Sequence, residues 1–421
     1  MTGAVDVAFP QIALRRYIHE ITDGPFGSSL TSSHYSNDGA RVIRLGNIGL
    51  ACFKDADAAY IPLHHFENLR RHEVHPGDLI IAGLGDGNHP VGRACVAPTN
   101  LGPALVKADC FRARLDESRL THRYAAWALS SSFVCDQVST LTRGSTRARI
   151  NLEMARDIRI PVPSVEEQRR ITRFLDVEAG KIDSLISKKN QLISLLDERI
   201  DSRILQHIGA SELVHPSTGD PALPIRRALT KVIRPAVANA DVITAYRDGQ
   251  VTERGLRRAE GYTLSATTDP QGQSVRVGDV VVHGLDGFAG AIGTSEAVGN
   301  CSPVYHVCVP VGDGDSRFLG RLLRLLAIQG YLGNFATSTR ERAVDFRNWD
   351  LFGRIPIPAV PSKEQREIGE WITRLRPLRG AVRKSEALAT ERRQALITAA
   401  VTGQFDVTTA SGRNVTEGVS V

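Results

Sequence analysis

Four short motifs occur twice in this chain, in the same order, and that duplication constrains its fold more than any other feature. Gly77–Arg93, GDLIIAGLGDGNHPVGR, aligns without a gap on Gly278–Thr294, GDVVVHGLDGFAGAIGT, so Gly77, Asp78, Gly83, Leu84 and Gly92 recur 201 positions later. STRAR at Ser145–Arg149 returns as STRER at Ser338–Arg342, an offset of 193. The IPxP of Ile160–Pro163 returns at Ile355–Pro358, an offset of 195, and Glu167-Gln168-Arg169 returns as Glu364-Gln365-Arg366, an offset of 197. Chance matches do not keep order. The chain reads as a divergent tandem duplication, and each half must fold to one plan.

The front of each half carries short β-type runs bounded by Gly, Pro or Asn: Val42–Leu45, Asp78–Ala82 and Arg93–Ala97, then Asp279–His283 and Val304–Val309. A helical stretch follows, with Tyr124, Trp127, Val134 and Val138 at helical spacing in the first half, and Phe318, Leu322 and Leu325 in the second. After IPxP the texture changes. Leu175, Ala179, Ile182, Ile186, Ile193, Leu196, Ile200 and Ile204 hold a 3-4 spacing broken only by Lys189, which predicts a helix of about 40 residues and about 60 Å. Pro161 and Pro163 are expected to end the preceding strand, and Ser164 with Glu167 forms a capping box. The second copy starts at Ser362, with Ile368, Ile372, Leu375, Val382, Ala389, Leu396 and Ala400 on one face and a kink or broken turn expected at Pro377. Two narrow apolar seams need a partner, and an antiparallel pair of these helices supplies it. The expected division is 1–160, 161–210, 211–357 and 358–405, with a frayed tail at 406–421.

At 421 residues the chain is too long for one ordinary core. Its charge of +6 permits a polyanionic partner without demanding one. Of 52 basic residues 8 are Lys, so 44 are Arg, the side chain suited to bidentate phosphate and guanine contacts; a codon bias gives the same count. The six cysteines show no tight pairing and read as buried thiols in a reducing compartment. MTGAVDVAFPQIALRRYIHE lacks the pattern of a signal peptide, and no apolar run approaches membrane-spanning length, so a cytoplasmic location is expected.

Little here suggests a catalyst. GLGDGN, Gly83–Asn88, lacks the full G-x-G-x-x-G and reads as a strand–loop–strand turn. His64-His65 and His72-Glu73-Val74-His75 have no repeated partner cluster and read as solvated loop histidines, not metal ligands. There is no acid-x-Lys triplet of a nuclease, no methyltransferase Pro-Pro-Tyr/Phe motif and no G-x-S-x-G. No catalytic or metal site and no cofactor is expected in this chain. TRGSTRARIN, Thr142–Asn151, stands out: Arg143, Arg147 and Arg149 gather with Ser145 and Thr146 and no acid. The second copy has Ser338, Thr339, Arg340, Arg342 and Arg347. Guanidinium forks and hydroxyls suit phosphates and base edges; a solvated loop pairing its arginines with local acids is the plainer alternative.

In this order the elements resemble the specificity subunit of type I restriction-modification systems, over nearly the whole chain to about residue 405. The likeness rests on ITDGPFGSSL (Ile21–Leu30), VIRLGNIG (Val42–Gly49), the GDLIIAGLGDGNHPVGR segment, the GSTR loop at Gly144–Arg147 and both IPxP–EQR junctions. The resemblance implies an α+β chain: two duplicated mixed α/β target recognition domains separated by two long helices packed as an antiparallel coiled coil. Each domain would read half of a bipartite, asymmetric site in double-stranded DNA. The helices would set the spacing and dock two modification subunits, which bring S-adenosylmethionine, and restriction subunits would join through those. It adds Gly27, Ser28, Ser29, Arg44 and Asn88 to the DNA-contacting set. The second half has VITAYRDGQVTERG in place of GPFGSS, with Arg247 as its candidate. Glu167, Gln168, Arg169, Ile182, Ile186, Glu364, Gln365 and Arg366 would serve helix initiation, the seam and docking. The competing reading is a helical-ruler adaptor that bridges proteins without reading DNA.

Overall fold

The computed structural model describes residues 7–86, 89–142, 148–208, 222–257, 272–335 and 345–407. The chain forms two compact units, Met1–Lys188 with Ser385–Val421, and Lys189–Lys384, so both long helices contribute to each unit.

The first unit is built on a four-stranded antiparallel sheet in the order Ile18–Asp23, Cys110–Leu115, Leu79–Ala82, Ala94–Val96. The second has the same order in Leu229–Val232, Tyr305–Pro310, Val280–His283, Ile292–Thr294. Register is kept as well: Leu79 faces Ala113 in one and Val280 faces Cys308 in the other. The central strands LIIA and VVVH are apolar apart from the terminal, half-buried His283, because helix and loops cover both faces. A helix lies on each sheet, His122–Leu129 capped by Thr121 and Ser316–Ile328 capped by Asp315. All six cysteines are free, and burial pushes the Cys110, Cys301 and Cys308 thiols up to about 12.

The single helical stretch expected around Tyr124–Val138 is two helices, His122–Leu129 and Ser132–Leu141. Buried Ser130 and Ser131 break it: the Ser131 hydroxyl caps the second helix, while Ser130 Oγ accepts the Ala51 N–H at 2.9 Å. Pro161 is the last residue of its strand, as expected. Arg159–Pro161 pairs with Gln11–Ala13, and Pro356–Pro358 pairs with Ala222–Pro224. A strand with a single partner tolerates a residue that lacks an N–H.

The long helices run Val165–Ile208 and Ser362–Thr402; the second continues through Pro377 without the expected break. Ser164 Oγ accepts the Glu167 N–H at 3.3 Å, as the capping pattern predicts. Within the first unit Phe174 meets Phe405 at 5.5 Å between ring centroids and Asp183 meets Arg393 at 2.7 Å. Within the second, Asp197 meets Arg379 at 3.1 Å and the Arg203 guanidinium lies 5.0 Å from the Trp371 ring. In both, numbers rise on one helix as they fall on the other, so the packing is antiparallel. Leu175 and Ala179 share a core with Ile397 and Ala400, and Ile204 shares one with Ile368. Ile182 and Ile186 are only half-buried. On the second helix Arg376, Arg379 and Arg383 occupy helical spacing where a wholly apolar seam was expected, and each has an acidic partner.

Candidate nucleic-acid interface

One glycine in each half gathers the repeated motifs. The Gly83 N–H donates to the Asp109 carbonyl at 2.7 Å, and the Gly83 carbonyl accepts the Ile150 N–H at 2.9 Å. Gly284, its counterpart, donates to the Val304 carbonyl at 3.0 Å and accepts the Phe346 N–H at 2.7 Å. A Cβ at Gly83 would meet the Phe111 ring at 2.5 Å, and one at Gly284 would meet the Val304 carbonyl oxygen at 2.5 Å. The repeated GL dipeptide is therefore a joint where a sheet strand, a turn and the end of the arginine loop close on a backbone without room for a side chain.

In the first unit Leu84 and Arg149 form a bridge, and the Gly85 N–H donates to the Ala148 carbonyl at 2.9 Å. The Arg149 guanidinium reaches Asp109 at 2.7 Å and lies 6.0 Å from the centroid of the Phe26 ring, which is 48% exposed. Gly27, Ser28 and Ser29 follow as an exposed 3-10 turn. Phe26, Asp109, Arg149 and Asn151 line one cleft of about 600 Å³. Phe26 of GPFGSS and Arg149–Asn151 of STRARIN thus meet at one rim. Arg44 pairs with Asp57 at 2.6 Å, and its backbone N–H donates to the buried Asn47 side chain, whose amide in turn donates to the Lys54 and Ala56 carbonyls. In the second unit Arg247 is exposed and pairs with Asp286 at 3.0 Å, in the loop after Gly284. His283 Nδ1 accepts the Leu285 and Asp286 N–H groups there; burial holds its pKa below the usual histidine value. Asn88, Arg143, Ser145, Thr146, Arg147, Ser338, Thr339, Arg340 and Arg342 lie outside the described residues.

Two residues carry roles that the sequence reading missed. Arg93 is 3% exposed and donates to the carbonyls of Leu45, Ile48, Leu84 and Pro90, tying the LGNIG and GLGDG loops together. Gln168, expected at a docking surface, is fully buried. Its Oε1 accepts the Thr121 N–H at 3.0 Å and its amide donates to the Arg119 and Pro163 carbonyls. Gln365 repeats the pattern, accepting the Asp315 N–H at 3.1 Å and donating to the Val360 carbonyl at 2.7 Å. In both halves this glutamine locks the start of a long helix to the cap of the helix on the sheet, while Arg169 and Arg366 stay exposed. The repetition of EQR was the available signal; its internal target was not in it. Gln168→Leu strands three backbone groups and is expected to cost about 1–3 kcal/mol, read as a lower midpoint in urea unfolding. An unchanged midpoint would mean that solvent satisfies those groups. Of the histidines read as solvated, His72 is buried, with Nδ1 2.5 Å from the Asp23 carbonyl.

Among the described residues no cluster of three His, Cys, Asp or Glu side chains is placed to hold a metal, and no helix is long and apolar enough to cross a membrane. Residues 68–194 match the family model for the type I restriction modification DNA specificity domain. The specificity subunit of the type I restriction enzyme StySPI from Salmonella potsdam is 26% identical over 165 residues, which are 39% of this chain. The match spans about a third (35%) of that relative's length. Among solved structures, the HsdS subunit from Thermoanaerobacter tengcongensis aligns over 96% of this chain and all of its own at 14% identity and a TM-score of 0.39. The type I restriction-modification S subunit from M. genitalium aligns over 95% and 98% at 14% identity and a TM-score of 0.43.

Proposed function

We propose that this chain is the sequence-reading, non-catalytic subunit of a type I restriction-modification system, a reading supported by the match of residues 68–194 to the model for the DNA specificity domain of that family. One recognition domain, residues 1–160, reads one half of a bipartite, asymmetric DNA site, and the other, residues 211–357, reads the second half. The helical segments 161–210 and 358–405 set the distance between half-sites and dock two methyltransferase subunits. Those subunits supply S-adenosylmethionine and methylate adenine; restriction subunits join through them, in the cytoplasm where the DNA is. The contacts come from Gly27, Ser28, Ser29, Arg44, Asn88 and the 143–149 loop in the first half. In the second they come from Arg247 and the Ser338–Arg342 loop.

The observation that supports this reading is the repeated glycine joint, which holds Ile150 and Phe346, the residues just past the two arginine motifs, at the end of the same central strand in each unit. Guanidinium groups there suit phosphate and base-edge contacts, with hydroxyls and backbone N–H groups setting the register. A second reading, the protein-bridging adaptor, draws on the acid partners that Arg44, Arg149 and Arg247 already have. DNA binding by the chain assembled with methyltransferase subunits separates the two. A reader making 6–10 phosphate contacts loses about 10³–10⁵ in affinity between 50 and 200 mM salt. Arg147→Ala and Arg340→Ala are expected to weaken binding and leave assembly intact. Absent or salt-insensitive binding by the assembled complex would favour the adaptor.

A further inference from the structure

The second unit holds a cavity whose lining includes none of the proposed DNA-contacting residues. It offers about 200 Å³, somewhat more than the roughly 150 Å³ of an apolar cavity that takes up benzene. Leu196 and Ile200 of the first long helix and Ile372 and Leu375 of the second form its apolar side. Its polar side carries Arg317, Arg321, Arg324, Arg376, Arg379 and Arg383.

Five of these arginines have carboxylate partners. Arg317 pairs with Asp315, Arg321 with Asp201 at 2.6 Å, Arg376 with Glu296 at 2.8 Å, Arg379 with Asp197 at 3.1 Å, and Arg383 with Asp248. Arg324 has none among the described residues. One of its terminal nitrogens donates to the Arg247 carbonyl at 3.4 Å, and its buried Nε has no partner. Its side chain is nonetheless held in place: Gly249, at φ +81°, packs so closely that a Cβ would lie 2.4 Å from Arg324 Cδ. Burial holds the Arg324 pKa below its ordinary value, and Arg321 beside it acts in the same direction. The cavity thus contains a fixed cation with unused donors.

The first unit shows the corresponding place when filled. Gln168 accepts the Thr121 N–H as Gln365 accepts the Asp315 N–H, so the two caps correspond. Counting on from them, Arg123 matches Arg317, Trp127 matches Arg321 and Ser130 matches Arg324. The match holds in space, because Arg123 reaches Asp176 and Arg317 reaches Thr373, which are 197 positions apart like the two EQR motifs. In the first unit the Trp127 ring has the Arg123 guanidinium 5.0 Å and the Arg393 guanidinium 5.6 Å from it, and its indole N–H donates to Asp176. The second unit has no ring at that position, and the cavity stands there.

We infer that this cavity binds a small aromatic carboxylate. Its ring would rest on the apolar side among the guanidinium groups, and its carboxylate would pair with Arg324. This holds whether or not the chain reads DNA. The test is calorimetric titration of the full chain with indole-3-acetate, with uncharged indole-3-acetamide and with inorganic phosphate. The acid is expected to bind one per chain with a dissociation constant of about 1 mM or tighter, and amide and phosphate at least about ten-fold more weakly. Arg324→Gln should weaken the acid about ten-fold and leave the amide unchanged, and Leu196→Phe, which fills the space, should abolish both. Three results overturn the inference: no saturable binding of the acid to the unaltered chain, equal binding of acid and amide, or acid binding that survives both substitutions.

Discussion

Trp127→Ala is expected to lower the stability of the first unit by about 3–5 kcal/mol. For a unit of this size that is a fall of about 6–20 °C in the thermal midpoint. Trp127 is 2% exposed, so its removal forfeits both transfer energy and packing. It also orders charge. The indole N–H donates to the Asp176 Oδ1 that accepts the Arg123 Nε, and the 8%-exposed Arg393 has the ring beside it as well as Asp183. Without the ring two guanidinium groups border a void, and a buried cation with poorer surroundings adds to the cost. Scanning calorimetry of the full chain reads the effect. A shift below about 1 °C would mean that the neighbouring groups collapse into the space and that the ring does not organise them.

Arg149→Ala is expected to weaken binding of the assembled complex to its DNA site by about 5- to 150-fold, the equivalent of about 1–3 kcal/mol. Arg149 is 56% exposed, and an ion pair so open to solvent contributes at most about 1 kcal/mol. Exchanging Asp109 for a phosphate or a guanine edge therefore costs the protein little. The two kinds of contact leave different traces. If Arg149 meets a base, the variant tolerates substitution at one position of the site; if it meets a phosphate, all sequences weaken alike and the salt slope falls by about one. Fluorescence anisotropy on matched and single-substituted duplexes distinguishes them, and unchanged affinity and slope would remove Arg149 from the interface.

The fold was legible where apolar pattern and repetition agreed. LIIA and VVVH announce covered central strands, and the 3-4 spacing from Leu175 to Ile204 announces the first long helix. The pattern misled where polar side chains find internal partners. Ser130 and Ser131 divide a helical run because the Ser131 hydroxyl caps the second helix and the Ser130 hydroxyl bonds the distant Ala51 and Ala94 backbone, which periodicity does not register. Arg376, Arg379 and Arg383 sit at helical spacing among the apolar positions, and their pairing was not legible because Asp197, Asp248 and Glu296 are distant in sequence.

The candidate site divides in the same way. Arg93 and Arg149 both lie in glycine-bearing motifs and look alike as letters. One is buried under four carbonyls and the other is exposed beside Phe26. From the sequence alone came the duplication, the strand and helix types and the antiparallel pairing of the long helices, because these depend on periodicity and order along the chain. Only the tertiary structure decided that Gly83 and Gly284 are joints, that Gln168 and Gln365 are internal locks, and that the place filled by Trp127 in one unit is an arginine-lined cavity in the other. Each of those roles depends on which groups a side chain meets across tens to hundreds of residues, and on whether water reaches them.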